Sequence, residues 1–304
     1  MNLAETLLHL LVLLSVPPLL QGVIVKTKAR FAGRVGAPLL QSYFDLAKLV
    51  RKDMVVSRTT TWVFLAGPAV SLAALLAAGL LLPLGASTAP LHFEGDLILF
   101  AYLLALGRFF TVAAALDTGS AFEGMGAARE ITYACLSEPA LFLGLLTLVR
   151  LTGSLEMSGL FGAPVLAGWS AFGPGLVLVW AGLFVVALVE NCRIPFDDPN
   201  THLELTMIHE VMVLDHSGPA LAAILYGASL KLLLLGSLLV RLVVPVLPGG
   251  IAAWGVFLAA LLVFAVLVGV VESVMARLRL SYVPNLLIGA ALSTGFALVF
   301  VSLV

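Results

Sequence analysis

Ionisable side chains stand inside or at the ends of long apolar runs in this sequence, and those are the groups whose chemistry needs explaining. They are Arg108, Asp117, Glu138, Glu190, Lys231 and Glu272. A charge at the centre of a bilayer-spanning helix costs about 2.5–3.5 kcal/mol on insertion scales, so its retention points to an ion pathway or to paired charges. Lys231 makes the strongest case. It lies midway along the apolar run 220–244, where even a snorkelling side chain faces protein. Asp117, Glu190 and Glu272 fall at the ends of their runs, where headgroup water offers an equal alternative to a pathway.

Two polar stretches add to this set. In SAFEGMGAAREITYACLSEP, Glu123 and Glu130 are seven residues apart and Glu138 lies about two turns further on. A continuous helix would line these carboxyls along one face. Gly124 and Gly126 argue instead for a turn at the entry, which leaves Glu123 outside that helix. Arg129 can pair with either neighbouring carboxylate. The densest stretch, VENCRIPFDDPNTHLELTMIHEVMVLDHSG, holds Glu190, Arg193, Asp197, Asp198, His202, Glu204, His209, Glu210, Asp215 and His216. Pro199-Asn200-Thr201 reads as a helix start, with Thr201 as N-cap and Glu204 completing a capping box. That accounts for Glu204 without function. The candidate ion path nevertheless takes in Glu123, Glu130, Glu138, Glu190, Asp197, Asp198, Glu204, Glu210, Lys231 and Glu272.

His202, His209 and His216 recur every seven residues, a spacing that invites a metal site. Seven helical residues rise about 10.5 Å, too far for metal–nitrogen bonds of about 2.0–2.1 Å to share one ion. A proton relay with acidic neighbours and ordinary hydrogen-bonded histidines are the two remaining readings. Cys135 and Cys192 form no C-x-x-C pair, so no zinc or iron–sulfur ligand set is expected here and any redox centre belongs to a partner.

The elements that must position these groups are membrane helices. Of 304 residues, 61% are hydrophobic and 11% charged, with mean hydropathy +1.13, which excludes a soluble fold. The net charge of −1 gives no basic excess for nucleic acid. Eight runs are apolar enough to span a bilayer: Leu3–Val25, Trp62–Leu82, Leu97–Leu116, Ile131–Val149, Ala171–Val189, Ala220–Val244, Ile251–Val271 and Leu286–Val304. The expected fold is therefore all-α and polytopic. The start, MNLAETLLHLLVLLSVPPLL, has Glu5 in place of a basic leader region and reads as a retained first helix.

Connections after the first, third, fifth and seventh spans hold Lys26, Lys28, Arg30, Arg34, Lys48, Arg51, Lys52, Arg58, Arg129, Arg193, Arg277 and Arg279, twelve of the sixteen basic residues. The positive-inside rule then predicts both termini on the outer side. The cytoplasmic loops would be 26–60, 117–137, 190–219 and 274–285. No repeat, flexible linker or paired broken helices interrupt the chain, which reads as one membrane domain and weakens the case for a lone carrier.

Three of these polar stretches carry a resemblance. KARFAGRVGAPLLQSYFDLAKLVRKD contains Gly33, Arg34, Gly36, Gln41, Asp45, Lys48 and Leu49; GMGAARE with SEP contains Arg129 and Glu138; ENCRIPFDDP contains Glu190, Arg193, Pro195, Phe196 and Asp197. ARLRLSYVPNLL is a fourth, weaker likeness. From residue 26 to 287 the chain resembles the membrane subunit shared by respiratory complex I, as its subunit 1, and by group 4 membrane-bound nickel-iron hydrogenases, as formate hydrogenlyase subunit 4.

The resemblance implies a subunit of an oxidoreductase complex in a prokaryotic inner membrane, without its own redox centre. Hydrogenase-like large and small subunits and iron–sulfur subunits would dock on its cytoplasmic side, with antiporter-like subunits alongside in the bilayer. The nickel-iron centre and iron–sulfur clusters would lie in those partners. Arg34, Asp45, Lys48, Arg108, Arg129, Arg193, Arg277 and Arg279 are the expected docking or charge-pairing residues. The short chain and the THLELTMIHEVMVLDHSG segment are closer to the hydrogenase branch, because Asn200, Thr201 and His202 replace much of the acidic run of complex I. Three functions follow as expectations: a non-catalytic anchor coupling electron transfer to proton or sodium movement, a quinone-chamber subunit, and a stand-alone ion carrier.

Overall fold

The computed structural model of the protein describes residues 3–85, 88–197, 207–245 and 250–303. Among these residues there are helices and no strands: α1 (Leu3–Phe31), α2 (Gln41–Val50), α3 (Trp62–Leu81), α4 (Asp96–Asp117), α5 (Ala121–Thr152), α6 (Ala163–Glu190), α7 (His209–Met212), α8 (Gly218–Val243), α9 (Ile251–Val274) and α10 (Val283–Leu303), the last entered through a 3-10 turn at Leu280–Tyr282. Eight of the described helices are long and apolar enough to cross a membrane, the number read from the sequence.

Several bounds differ from those expected. α1 continues past Val25 to Phe31, beyond the apolar run, carrying Lys26 and Lys28 on its own axis. α5 begins at Ala121, so most of the loop expected over 117–137 is helix and Gly124 and Gly126 lie inside it. α6 starts at Ala163 and is broken at Phe172 (φ −135°, ψ 15°), two residues before Pro174; the missing N–H and ring clash of a mid-helix proline explain the break. α2 is an addition to the expected elements, too short and too mixed to register as a span.

The helices pack through small residues. A Cβ on Gly67 of α3 would lie 2.6 Å from Ala114 Cβ and 3.0 Å from Phe110 O of α4. Where lipid is as apolar as the side chains, such close backbone approach is what gives helix pairs their contact energy. The same pair is tied at one end by Asp117, the last residue of α4, which accepts Thr61 N at 2.6 Å and Phe64 N at 3.2 Å and so satisfies orphan donors of α3. α8 is the most enclosed of the described spans, with 67% of its most apolar stretch buried against 28% for the last helix. A lysine midway along α8 is therefore surrounded by protein.

Candidate ion-coupling site

Arg108 of α4 is the hub of a buried charge cluster. Its Nη2 lies 2.6 Å from Glu190 Oε1, its Nη1 2.7 Å from Glu138 Oε1 and its Nε 3.8 Å from Glu130 Oε1. Lys231 Nζ reaches the other oxygen of Glu190 at 2.7 Å, and Ser137 Oγ donates to Glu190 Oε1 at 3.0 Å. Glu190 ends α6, where the helix macrodipole disfavours a carboxylate; the two cations offset that. Glu130 and Glu138 are eight residues apart on α5 and share a face. Their side chains and that of Glu190 are 12%, 40% and 5% exposed, so the carboxyls step from the surface inward. Three carboxylates face two cations here, leaving one negative charge in excess that a single proton neutralises.

A second set of pairs fixes the turn that follows α6. Glu272, at the end of α9, lies 2.8 Å from Lys28 Nζ and 3.3 Å from Arg193 Nη1. Arg193 also donates to the amide oxygen of Gln21 in α1. Asp197 lies 2.9 Å from Arg277 Nη2 and accepts Ile208 N at 2.8 Å. The turn is thereby bound to α1, α9 and the segment before α10, and Leu278 N donates to Pro195 O at 2.8 Å.

The segment around α7 is seated by a third set. Arg129 Nη1 donates to Met207 O at 2.7 Å, and Glu123 accepts Asp215 N at 3.1 Å. Gly126 lets the segment sit against α5: a Cβ there would fall 2.3 Å from Val211 Cγ1 and 2.9 Å from Ile208 O. His216 stacks on Phe64 with ring centroids 4.0 Å apart. Burial lowers the imidazolium stability of both histidines in this segment. His209 is brought down to about 4 by burial and then by the Lys231 charge, and His216 is lowered by burial. Burial raises the Cys192 thiol well above its usual range.

Two cavities meet here. The smaller, about 60 Å³, is lined by the Arg108, Glu130, Glu190 and Lys231 group. The larger, about 320 Å³, lies between α1, α2 and α8, with Gln21, Asp45, Arg193, Asp197 and Glu210 on its wall. Asn191, Cys192 and His209 line both. A water needs about 10–15 Å³ of such space and a few polar partners, so even the smaller cavity has room for several.

The structure thus divides the sequence-derived candidates. Glu130, Glu138, Glu190, Lys231 and Arg108 converge on one cluster, and Arg193, Glu272, Asp197 and Arg277 form the neighbouring pairs. Glu123 does lie within α5, but it faces the 207–217 segment and not the carboxyl cluster, and Arg129 bonds a backbone carbonyl there. Glu210 lines the larger cavity. Asp45 does too, while accepting Gln41 Nε2 at 2.8 Å. Arg34, Lys48 and Arg279 are exposed, as are Val35 (84%), Phe44 (61%) and Val55 (80%). Asp198, Glu204, His202 and the expected capping box lie outside the described residues. Headgroup water is not what satisfies Glu190 and Glu272, which are buried and paired, whereas Asp117 is a helix cap. Sequence reasoning passed over Gln21, Ser137 and Asn191; Gln21, an amide within an apolar run, carried a readable signal.

The pattern of the NADH dehydrogenase family matches residues 4–303. Formate hydrogenlyase subunit 4 of Escherichia coli (strain K12) is 33% identical across 100% of this chain and 99% of its own length. Hydrogenase-4 component C of the same organism is 35% identical over 77% of this chain and 73% of its own. A subunit of the NADH-quinone oxidoreductase of Anaplasma phagocytophilum (strain HZ) is 27% identical over 67% of this chain and 63% of its own. A chain from the structure of the membrane-bound sulfane sulfur reductase, an archaeal respiratory membrane complex, superposes with a TM-score of 0.81 over 97% of this chain and 100% of that one, at 21% identity, which speaks for the fold.

Proposed function

The chain belongs to the NADH dehydrogenase family, and from that premise we propose that it is the non-catalytic anchor and coupling subunit of a formate hydrogenlyase-like group 4 hydrogenase complex. It is a multi-pass membrane protein and a membrane subunit of a complex I-like complex, so it works beside partner subunits. The finer reading is supported chiefly by one feature: Arg108 and Lys231 hold Glu190 between them inside the bundle, with Glu130 and Glu138 on the other sides of Arg108. A set one proton short of neutrality responds to any charge change nearby. Full-length similarity to formate hydrogenlyase subunit 4 favours the hydrogenase branch.

In this reading the basic face lies in the cytoplasm of a prokaryotic cell. Its exposed Arg34, Lys48 and Arg279, interleaved with Val35, Phe44 and Val55, receive the hydrogenase-like and iron–sulfur subunits. Antiporter-like subunits pack laterally. The nickel-iron centre and clusters belong to the cytoplasmic partners. Electron transfer there changes charge beside the Asp197–Arg277 and Arg193–Glu272 pairs, and proton or sodium movement through the membrane follows. Purification of the intact complex through this chain tests the proposal: nickel, redox-driven ion uptake in proteoliposomes, and loss of that uptake with retained assembly in Glu190→Gln are expected.

The larger cavity favours a second reading, a quinone chamber shared with a soluble partner. Pro18, Val25, Leu46 and Leu225 give it apolar walls, and Gln21, Asp45 and His209 supply polar groups, a lining that fits an amphiphilic ring. Inhibitor-sensitive quinone reduction by the purified complex would establish it. Ion exchange by this chain alone in proteoliposomes would instead make it a stand-alone carrier.

A further inference from the structure

We propose that His209 is the proton relay between the two cavities, passing protons from the larger, α2-side cavity to the Glu190–Lys231 cluster. This deepens the coupling role proposed above and rests on it.

Placement carries the inference. His209 is among the few residues on the walls of both cavities, with Asn191 and Cys192. The Cys192 thiol is held protonated by burial. Asn191 Nδ2 donates to Ala187 O at 2.7 Å, and its Oδ1 has no hydrogen-bond partner among the described residues. Neither group exchanges protons readily, so among the described residues of that shared wall the imidazole, with its two ring nitrogens, is the group suited to pass them. His209 is half-buried and lines both cavities.

Its setting is held from α5 and from the turn after α6. Asp197 accepts Ile208 N at 2.8 Å and His209 N at 3.4 Å, Arg129 holds Met207 O, and Gly126 admits the segment against α5. Contacts from three residues, Asp197, Arg129 and Gly126, fix where the backbone of this segment stands. The charged groups around it are Lys231, Glu190, Glu130 and Arg108 across the smaller cavity, and Asp45, Arg193, Asp197 and Glu210 across the larger.

The step balances without a redox partner. One ring nitrogen of the neutral imidazole accepts a proton from water in the larger cavity, and the other N–H gives its proton to water in the smaller one. The ring ends neutral in the opposite tautomer and resets by rotation. Burial and then the Lys231 charge disfavour a resident imidazolium, so the ring transmits charge and does not store it. When the cluster gains a proton or loses one, that penalty changes, and the relay senses the state of the cluster.

The test uses the whole complex in proteoliposomes, measuring ions translocated per electron pair and redox turnover for wild type, His209→Gln, His209→Gly and Glu190→Gln. His209→Gln is expected to lower translocation about tenfold or more while the complex stays assembled. His209→Gly is expected to behave likewise and to recover with millimolar imidazole, which a merely structural role would not produce. Full translocation in His209→Gln, or loss in His209→Gly that imidazole leaves untouched, overturns the relay while the coupling role stands if Glu190→Gln is inactive. Normal translocation in Glu190→Gln overturns the coupling role itself, and the relay with it.

Discussion

The ammonium of Lys231 and the carboxylate of Glu190 meet at 2.7 Å inside the bundle, joining the middle of the most enclosed span to the last residue of another. Neither charge has bulk water to fall back on. Each therefore depends on the other, and Glu190 is held a second time by Arg108 at 2.6 Å.

Removing one member of such a pair leaves an uncompensated buried charge, at about 3–5 kcal/mol. Lys231→Met leaves one cation facing three carboxylates, whereas Glu190→Gln leaves two facing two. Lys231→Met should therefore be the more destabilising, and adding Glu190→Gln to it should restore part of the loss. Thermal unfolding in detergent of both single variants and the double variant checks this. Additive effects would mean the two residues are energetically independent.

Gly126 predicts a different kind of damage. A side chain there meets Val211 Cγ1 at 2.3 Å and Ile208 O at 2.9 Å, and backbone cannot yield as a flexible chain end can. Gly126→Val should lift the 207–217 segment from α5 at about 1–3 kcal/mol. Limited proteolysis should then cut within 207–217 faster than in wild type, with the eight spans intact. An unchanged cleavage pattern would show the segment is held without that contact.

The sequence made the eight spans legible because bilayer thickness sets a minimum apolar length that soluble helices do not share. It also brought out Glu190 and Lys231, since a charge in an apolar run is conspicuous whatever it pairs with. It could not say which pairs form. Arg108, Glu138 and Glu190 are separated by 30 and 82 residues in their bonded pairings with Arg108, and only the packing of α4, α5 and α6 makes them neighbours. Glu123 looked like part of the carboxyl file because helical periodicity records a face, not what covers it. The seating of α7 was hidden for the same reason: Arg129 and Asp197 bond backbone atoms there, which leave no mark in residue types, and Gly126 acts through the side chain it lacks.

The asymmetry of basic residues predicts an orientation that labelling can read. Arg51 follows α2 on the basic face and is exposed, whereas Glu156 lies in the connection between α5 and α6 on the opposite side. In a cysteine-free background, Arg51→Cys should react with a membrane-impermeant maleimide only in inside-out vesicles, and Glu156→Cys only in right-side-out vesicles or spheroplasts. The reverse pattern would place the docking face outside the cytoplasm and remove the proposed site for redox partners.

His209 gives stability a pH dependence whose sign follows from burial. Its proton affinity falls from the ordinary 6.5 to about 4 in the folded chain, so between those values the unfolded state binds more protons and stability rises with pH. The contribution is complete above about pH 6.5 and is lost as the pH falls toward 4, with a ceiling of about 3 kcal/mol from the shift. His216, lowered in the same direction by burial, adds to the slope. His209→Gln removes the titrating ring, so its unfolding midpoint in detergent should vary less with pH between 4 and 6.5 than that of wild type, while the two curves run parallel above pH 7. Identical slopes across the acid range would mean that the His209 ring is open to bulk water and has no part in the enclosed wall between the cavities.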